Sequence, residues 1–272
     1  MCSVRVKMHP MGFFSKWRIH KAAQAGQSVE VSEEGGVRFM HLGSDTVQSA
    51  MRVDRPHDLE LAYTRAMMAF LLFRPAQGHV LMIGLGGGSL AKFVHARLTQ
   101  VRSTVVEISA QVIAAARTHF HLPPDDERLS IVAGDGAEYV ASHPGCCDVL
   151  MLDGFDGVSQ VESLSSQAFY EDCAVALSER GVLVVNLWSS DGSFPEYLAR
   201  IEAAFGGLVL CLPTERRGNI IVFGFKKSPG MPKWGALRER AKQLEMAHGI
   251  EFLRFVERLD EMNLHSEKRL LV

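Results

Sequence analysis

One arrangement constrains this chain more than any other: four short apolar runs, each followed at once by a residue suited to hold a ligand. Val80-Leu81-Met82-Ile83 opens into Gly84-Leu85-Gly86-Gly87-Gly88 and then into a helical pattern from Ser89. Val105-Val106 ends in Glu107, Ile131-Val132-Ala133 leads to Asp135, and Val149-Leu150-Met151-Leu152 leads to Asp153. Helical spacing fills the gaps, at 89–98, 109–120, 137–142 and 166–180. Strands alternating with helices predict a parallel sheet covered on both faces, wound by right-handed crossovers. The carboxyl ends of such strands converge on one crevice, so the glycine loop and three carboxylates should share a pocket. The predicted fold class is α/β: a doubly wound, Rossmann-like sheet.

Around that unit the pattern changes. Val29-Glu30-Val31 and Val37-Arg38-Phe39-Met40 flank Gly35-Gly36, which reads as a β-hairpin, and 47–51 reads as a further strand. The expected organisation is a basic tail over 1–27 and a small antiparallel N-terminal β unit over 28–58. A nucleoside-binding catalytic domain over 59–227 and a C-terminal helical extension over 228–272 follow. Within these, 59–73 reads as one helix ended by Pro75, and the strand at 182–187 as the fifth of the sheet. The segments 208–212 and 219–225 read as a closing antiparallel pair. Beyond Pro229 and Pro232, two amphipathic stripes carry Leu237, Ala241 and Leu244, then Phe252, Phe255, Val256 and Leu259. They suit packing or a dimer surface.

Bulk properties remove several classes. A formal net charge of -2 lacks the basic excess of a nucleic-acid binder. No apolar run reaches the roughly 20 residues that span a bilayer, so no membrane partner is expected. The five cysteines form no C-x-x-C pair, which favours reduced thiols and a cytoplasmic setting. No histidine spacing suggests a metal, and none is expected.

The chemistry sits in the crevice. Gly84, Gly86 and Gly88 let backbone approach a ligand, and the following helix directs its free N–H groups there. Glu107, at the tip of the second strand, is placed for ribose hydroxyls. Asp135, in Gly134-Asp135-Gly136, is placed for an exocyclic adenine amine. Three acids suit a sulfonium better than a pyrophosphate, so an S-adenosylmethionine-type ligand is preferred to a nicotinamide dinucleotide. Asp153 and Asp156, in Asp153-Gly154-Phe155-Asp156-Gly157, can face the cavity together, hold an ammonium and take up a proton.

These segments, with Leu164-Ser165-Ser166-Gln167-Ala168-Phe169-Tyr170 and the upstream Gln48 and Tyr63, resemble the spermidine synthase (polyamine aminopropyltransferase) family from about Ser28 to Phe225. The resemblance implies transfer of an aminopropyl group from decarboxylated S-adenosylmethionine to a small amine, with loss of methylthioadenosine. It implies Asp153 as the base and Gln48, Glu107, Asp135 and Gly136 around the co-substrate. Tyr63, Asp156 and Glu215 would lie at the amine, and the protein would be a homodimer. The chain also departs from the family pattern. Gly87 stands where the loop usually has an acid, Thr64-Arg65 follows Tyr63, and Glu215 occupies the place of a late tyrosine. Those departures leave open ordinary S-adenosylmethionine as co-substrate, hence a methyltransferase, and a non-catalytic nucleoside-binding homologue.

Overall fold

The computed structural model describes residues 17–24, 27–43, 46–75, 78–153, 162–189, 191–214 and 218–272, with side chains from Val29 on apart from Glu162. Two sheets result. The first is antiparallel and four-stranded, in the order β1 (Trp17–Gln24), β2 (Gln27–Glu34), β3 (Val37–Leu42) and β4 (Val47–Arg52). The stretch expected as a basic tail therefore contributes β1, which pairs with β2 from Trp17↔Glu33 to Gln24↔Gln27. An open β2 edge is a stronger organiser than the weak alternation of Trp17 and Ile19, because unpaired strand edges recruit partners.

The second sheet has seven strands in the order β10-β11-β9-β8-β5-β6-β7. β5 (Gly78–Ile83), β6 (Val101–Glu107), β7 (Leu129–Ala133), β8 (Cys147–Leu152) and β9 (Leu177–Trp188) run parallel. β11 (Asn219–Phe225) closes it antiparallel to β9, and β10 (Val209–Pro213) adds outside β11, antiparallel to it. Crossovers run through α2 (Ser89–Arg97), α3 (Ala110–His119), α4 (Gly136–Ser142) and α5 (Gln167–Ala176), while α6 (Phe194–Ala204) joins β9 to β10. The strand order reverses between β5 and β8, which is where a doubly wound sheet opens its crevice.

Two elements differ from expectation. The helix read over 59–73 is α1 (Ala62–Met67) followed by a 3-10 turn over Met68–Leu72. All five residues of that turn are buried, so packing on every side, not an amphipathic face, sets its winding. The helix read over 166–180 stops at Ala176, and β9 begins at Leu177 with a register shift against β8 between Cys147 and Val149. Ser178 Oγ donates to Asp148 Oδ1 at 2.8 Å, and Gly181 lies too close to Leu177 and the Asp148 carbonyl to carry a side chain. Those contacts draw 177–181 into the sheet. The C-terminal helices α7 (Trp234–His248) and α8 (Phe252–Arg258) fold back onto the core.

Candidate active site

Backbone bonds continue the ladder one step past the strands and align the crevice. Gly84 N–H donates to Val106 O at 2.9 Å, Gly134 N–H to Glu107 O at 3.0 Å and Asp153 N–H to Ile83 O at 3.1 Å. The ends of β5, β6, β7 and β8 thus meet along one line. Gly84 and Gly86 take positive φ of 93° and 52°, the left-handed region that glycine enters without strain. Both line a cavity shared by Gln48, Tyr63, Glu107, Asp135, Gly136 and Asp153. Gly88 does not line it. It caps α2 at φ 70° with Leu122 against it, so its part is to shape the loop from behind.

Glu107 is nearly buried, 8% exposed, and its carboxylate is held from two sides. Leu85 N–H reaches Oε2 at 2.9 Å and Ser109 N–H reaches Oε1 at 2.8 Å. Burial raises its pKa, while backbone bonds from Ser109, Leu85 and Ile108 oppose the rise. Next to it Ile108 is 70% exposed at the cavity wall, an apolar surface left for something to cover. Asp135 is the N-cap of α4, and its Oδ1 accepts from Ala137 N–H at 2.7 Å and Glu138 N–H at 3.2 Å. The cap engages one carboxylate oxygen of the two. Gly136 must be glycine because a Cβ there would lie 2.3 Å from Ile83 Cγ2.

Asp153 stands where two cavities meet. The second is lined by Gln48, Leu61, Tyr63, Asn186, Trp188, Thr214 and Asn219 as well as by Asp153. Tyr63 OH donates to Asp153 Oδ2 at 3.0 Å and approaches Gln48 O at 3.3 Å. Asn186 Nδ2 donates to Asp153 Oδ1 at 2.9 Å. Burial lifts the Asp153 pKa above the ordinary carboxylate range, opposed by the bonds from Asn186 and Tyr63. Burial, and then Asp153 itself, pushes the Tyr63 phenol well up. A carboxylate in this position is a better proton acceptor than one in water, provided it stays ionised.

The sequence therefore places Gln48, Tyr63, Gly84, Gly86, Glu107, Asp135, Gly136 and Asp153 at one site, and the structure brings them together. Asp156 and Glu215 lie outside the described residues. Arg65 belongs to neither cavity: it pairs with Glu251 at 2.9 Å and donates to the carbonyls of Leu59 and Glu60. Sequence reasoning missed Ser49, Ser89, Asn186 and Asn219. Asn186 had a visible signal, a lone amide in the apolar run Val182-Leu183-Val184-Val185-Asn186-Leu187.

Comparison with known proteins fits this arrangement. The family model "Spermine/spermidine synthase domain" matches residues 60–227. A polyamine aminopropyltransferase of Chromobacterium violaceum is 44% identical over 97% of this chain and 100% of its own length. One of Neisseria meningitidis is 42% identical over 92% of this chain and 96% of its own. The crystal structure of a probable spermidine synthase from Corynebacterium glutamicum superposes with a TM-score of 0.68 at 20% identity, over 88% of this chain and 94% of that one. At that identity it speaks to the fold alone.

Proposed function

The chain belongs to the spermine/spermidine synthase family, and from that premise we propose that it transfers an aminopropyl group from decarboxylated S-adenosylmethionine to a diamine or polyamine. The observation that carries the reading is Asp153, an enclosed carboxylate held by Tyr63 and Asn186 at the junction of two cavities. One cavity has the glycine loop, Glu107 and Asp135, and suits a nucleoside. The other is smaller in its set of lining groups, carries amides and Trp188, and suits an amine chain.

In this reading Glu107 receives the ribose hydroxyls, and Asp135 uses the oxygen left outside the helix cap for the adenine amine. Gln48 and the backbone of Gly84, Gly86 and Gly136 complete the nucleoside side, with Gly88 setting the loop. Tyr63 orients the amine against Asp153, and Asp156 and Glu215 keep the amine-side roles that the resemblance implies. An amine is an ammonium in water and must lose a proton before it can attack carbon. Asp153 accepts that proton, the nitrogen forms a bond to the carbon beside the sulfonium, and the carbon–sulfur bond breaks to release methylthioadenosine. Alignment of the two substrates and neutralisation of the nucleophile supply the acceleration.

Purified protein offered decarboxylated S-adenosylmethionine with a panel of amines should release methylthioadenosine only when an amine is present. Asp153→Asn should abolish the release. Nucleoside binding without turnover would sink the proposal. A second reading, methyl transfer from ordinary S-adenosylmethionine, is favoured by the absence of an acid at Gly87 and would give S-adenosylhomocysteine instead. The proposed partner besides the amine is a second copy of the chain, supported by exposed Met246 and Leu264 on the C-terminal segment. Sedimentation at the mass of one chain would refute the homodimer. A reducing, cytoplasmic setting is supported by Cys146, Cys147, Cys173 and Cys211, all free thiols.

A further inference from the structure

An asparagine amide has a donor end and an acceptor end, and only its neighbours decide which way it faces. Asn186 is 2% exposed within the apolar β9. Its Nδ2 lies 2.9 Å from Asp153 Oδ1, and its Oδ1 accepts from Asn219 Nδ2 at 2.8 Å. β9 and β11 are antiparallel neighbours with Asn186 opposite Ile221 and Asn219 opposite Trp188, so the two amides meet across the strand pair. An ionised carboxylate only accepts. Asn186 must therefore turn its NH2 to Asp153, its carbonyl oxygen then faces β11, and Asn219 must donate. One assignment satisfies all three groups.

We propose that Asn219 is a positioning residue: by donating to Asn186 it locks the Asn186 amide with its NH2 toward Asp153 and so keeps that carboxylate ionised and ready to accept the amine's proton. This rests on the reading of Asp153 as the base in aminopropyl transfer. The reverse orientation shows why the lock matters. With the Asn186 amide turned about, its carbonyl oxygen would face a carboxylate oxygen at hydrogen-bond distance. Two acceptors at that separation repel unless a proton sits between them, and Asp153 would then already hold the proton it has to take. The other titratable groups that face Asp153 are few. Tyr63 comes from α1 as a neutral donor, and Glu107 and Asp135 stand across the larger cavity. Among the described residues, the walls of the second cavity add no further titratable group.

The test reverses the lock. Asn219→Asp puts an acceptor-only group against Asn186 and should turn the amide, while Asn219→Leu removes the bond without imposing a direction. The readout is kcat at saturating amine and decarboxylated S-adenosylmethionine against pH, which reports the groups of the bound complex. The acid limb should move up by about one unit in Asn219→Asp, lowering kcat about tenfold on its acid side and little on the plateau. Asn219→Leu should move it the same way by less. A uniform loss at every pH, or an unmoved limb, overturns the proposal. Should Asn219→Asp fail to fold, Asn219→Leu decides alone by the same criterion. A wild-type protein that releases no methylthioadenosine, or an Asp153→Asn variant that still does, refutes the underlying reading instead and is recognisable before either Asn219 variant is made.

Discussion

Lys92, on α2 behind the glycine loop, is 1% exposed, and its ammonium donates to the Phe120 carbonyl at 2.6 Å with Met51 Sδ at 3.0 Å. Neither partner is charged, and burial lowers its pKa from 10.5 to about 7. The folded protein therefore gives up this proton near neutrality, whereas the unfolded chain keeps it to about 10.5. Between those values the unfolded state binds more protons, so the residue's contribution to stability rises with pH, by at most about 1.4 kcal/mol per pH unit. Below pH 7 both states are protonated and the full cost of a buried ammonium is present. Urea unfolding of wild type and Lys92→Met at pH 7, 8 and 9 should show wild type gaining on the variant as pH rises. A difference in stability that does not change with pH would show that Lys92 stays charged when folded. At this scale the acids were legible because strand ends in a parallel sheet have fixed places: Glu107, Asp135 and Asp153 needed only the period of the apolar runs. Lys92, Asn186 and Asn219 were not read, because their importance lies in which neighbour a strand register or helix turn brings to them.

The glycine loop shows the same limit for an element. Gly87 is outside the left-handed region, so the backbone would accept a side chain, and its space decides otherwise. A Cβ there would lie 2.7 Å from Phe120 Cδ1 and 2.8 Å from Ser49 Oγ. Phe120 is fully buried just beyond α3, so its ring does not yield without disturbing the core, whereas the Ser49 hydroxyl on β4 can rotate away. The Phe120 ring stands against the place where the resemblance puts an acid, which no reading of residues 84–88 alone reveals. Gly87→Asp should cost about 1–3 kcal/mol through overpacking, and less in a Phe120→Leu background. A double-mutant cycle by chemical denaturation measures the coupling, and strict additivity would clear Phe120 of the obstruction. Element order, strand direction and the antiparallel closing pair followed from periodicity. β1, the 3-10 turn at Met68–Leu72 and the early start of β9 did not, since each depends on an edge or a packed surface elsewhere in the chain.

For the whole molecule, the family match ends at residue 227, but the core does not. Trp234, Leu237 and Ala241 of α7, with Phe252, Phe255 and Val256 of α8, lie in the same buried cluster as Phe70, Leu71, Leu72, Phe223 and Phe225. Polar ties cross the boundary as well. Arg240 Nε donates to Leu71 O at 2.6 Å, and Asn263 exchanges bonds with the backbone of Cys211 at 2.7 Å in each direction. Arg65, two residues before the end of an α1 that also carries Tyr63, pairs with Glu251 at the head of α8. The C-terminal segment thus braces the helix that orients Asp153 from behind, and of the two uses that the sequence stripes suited, packing or a dimer surface, they serve packing within the chain's own core. Removal of 228–272 would uncover that apolar face, and side chains such as Phe252 each contribute about 2–3 kcal/mol by burial. A chain ending at 227 should lose near-UV circular dichroism and bind a hydrophobic dye while keeping much of its far-UV signal, the mark of lost packing with retained secondary structure. The full chain should unfold in one transition, with far-UV signal and tryptophan fluorescence coincident, and methylthioadenosine should shift that whole transition upward. A 1–227 chain that unfolds cooperatively at the full-length temperature would show instead that the extension is an accessory, and that Tyr63 is held by the sheet alone.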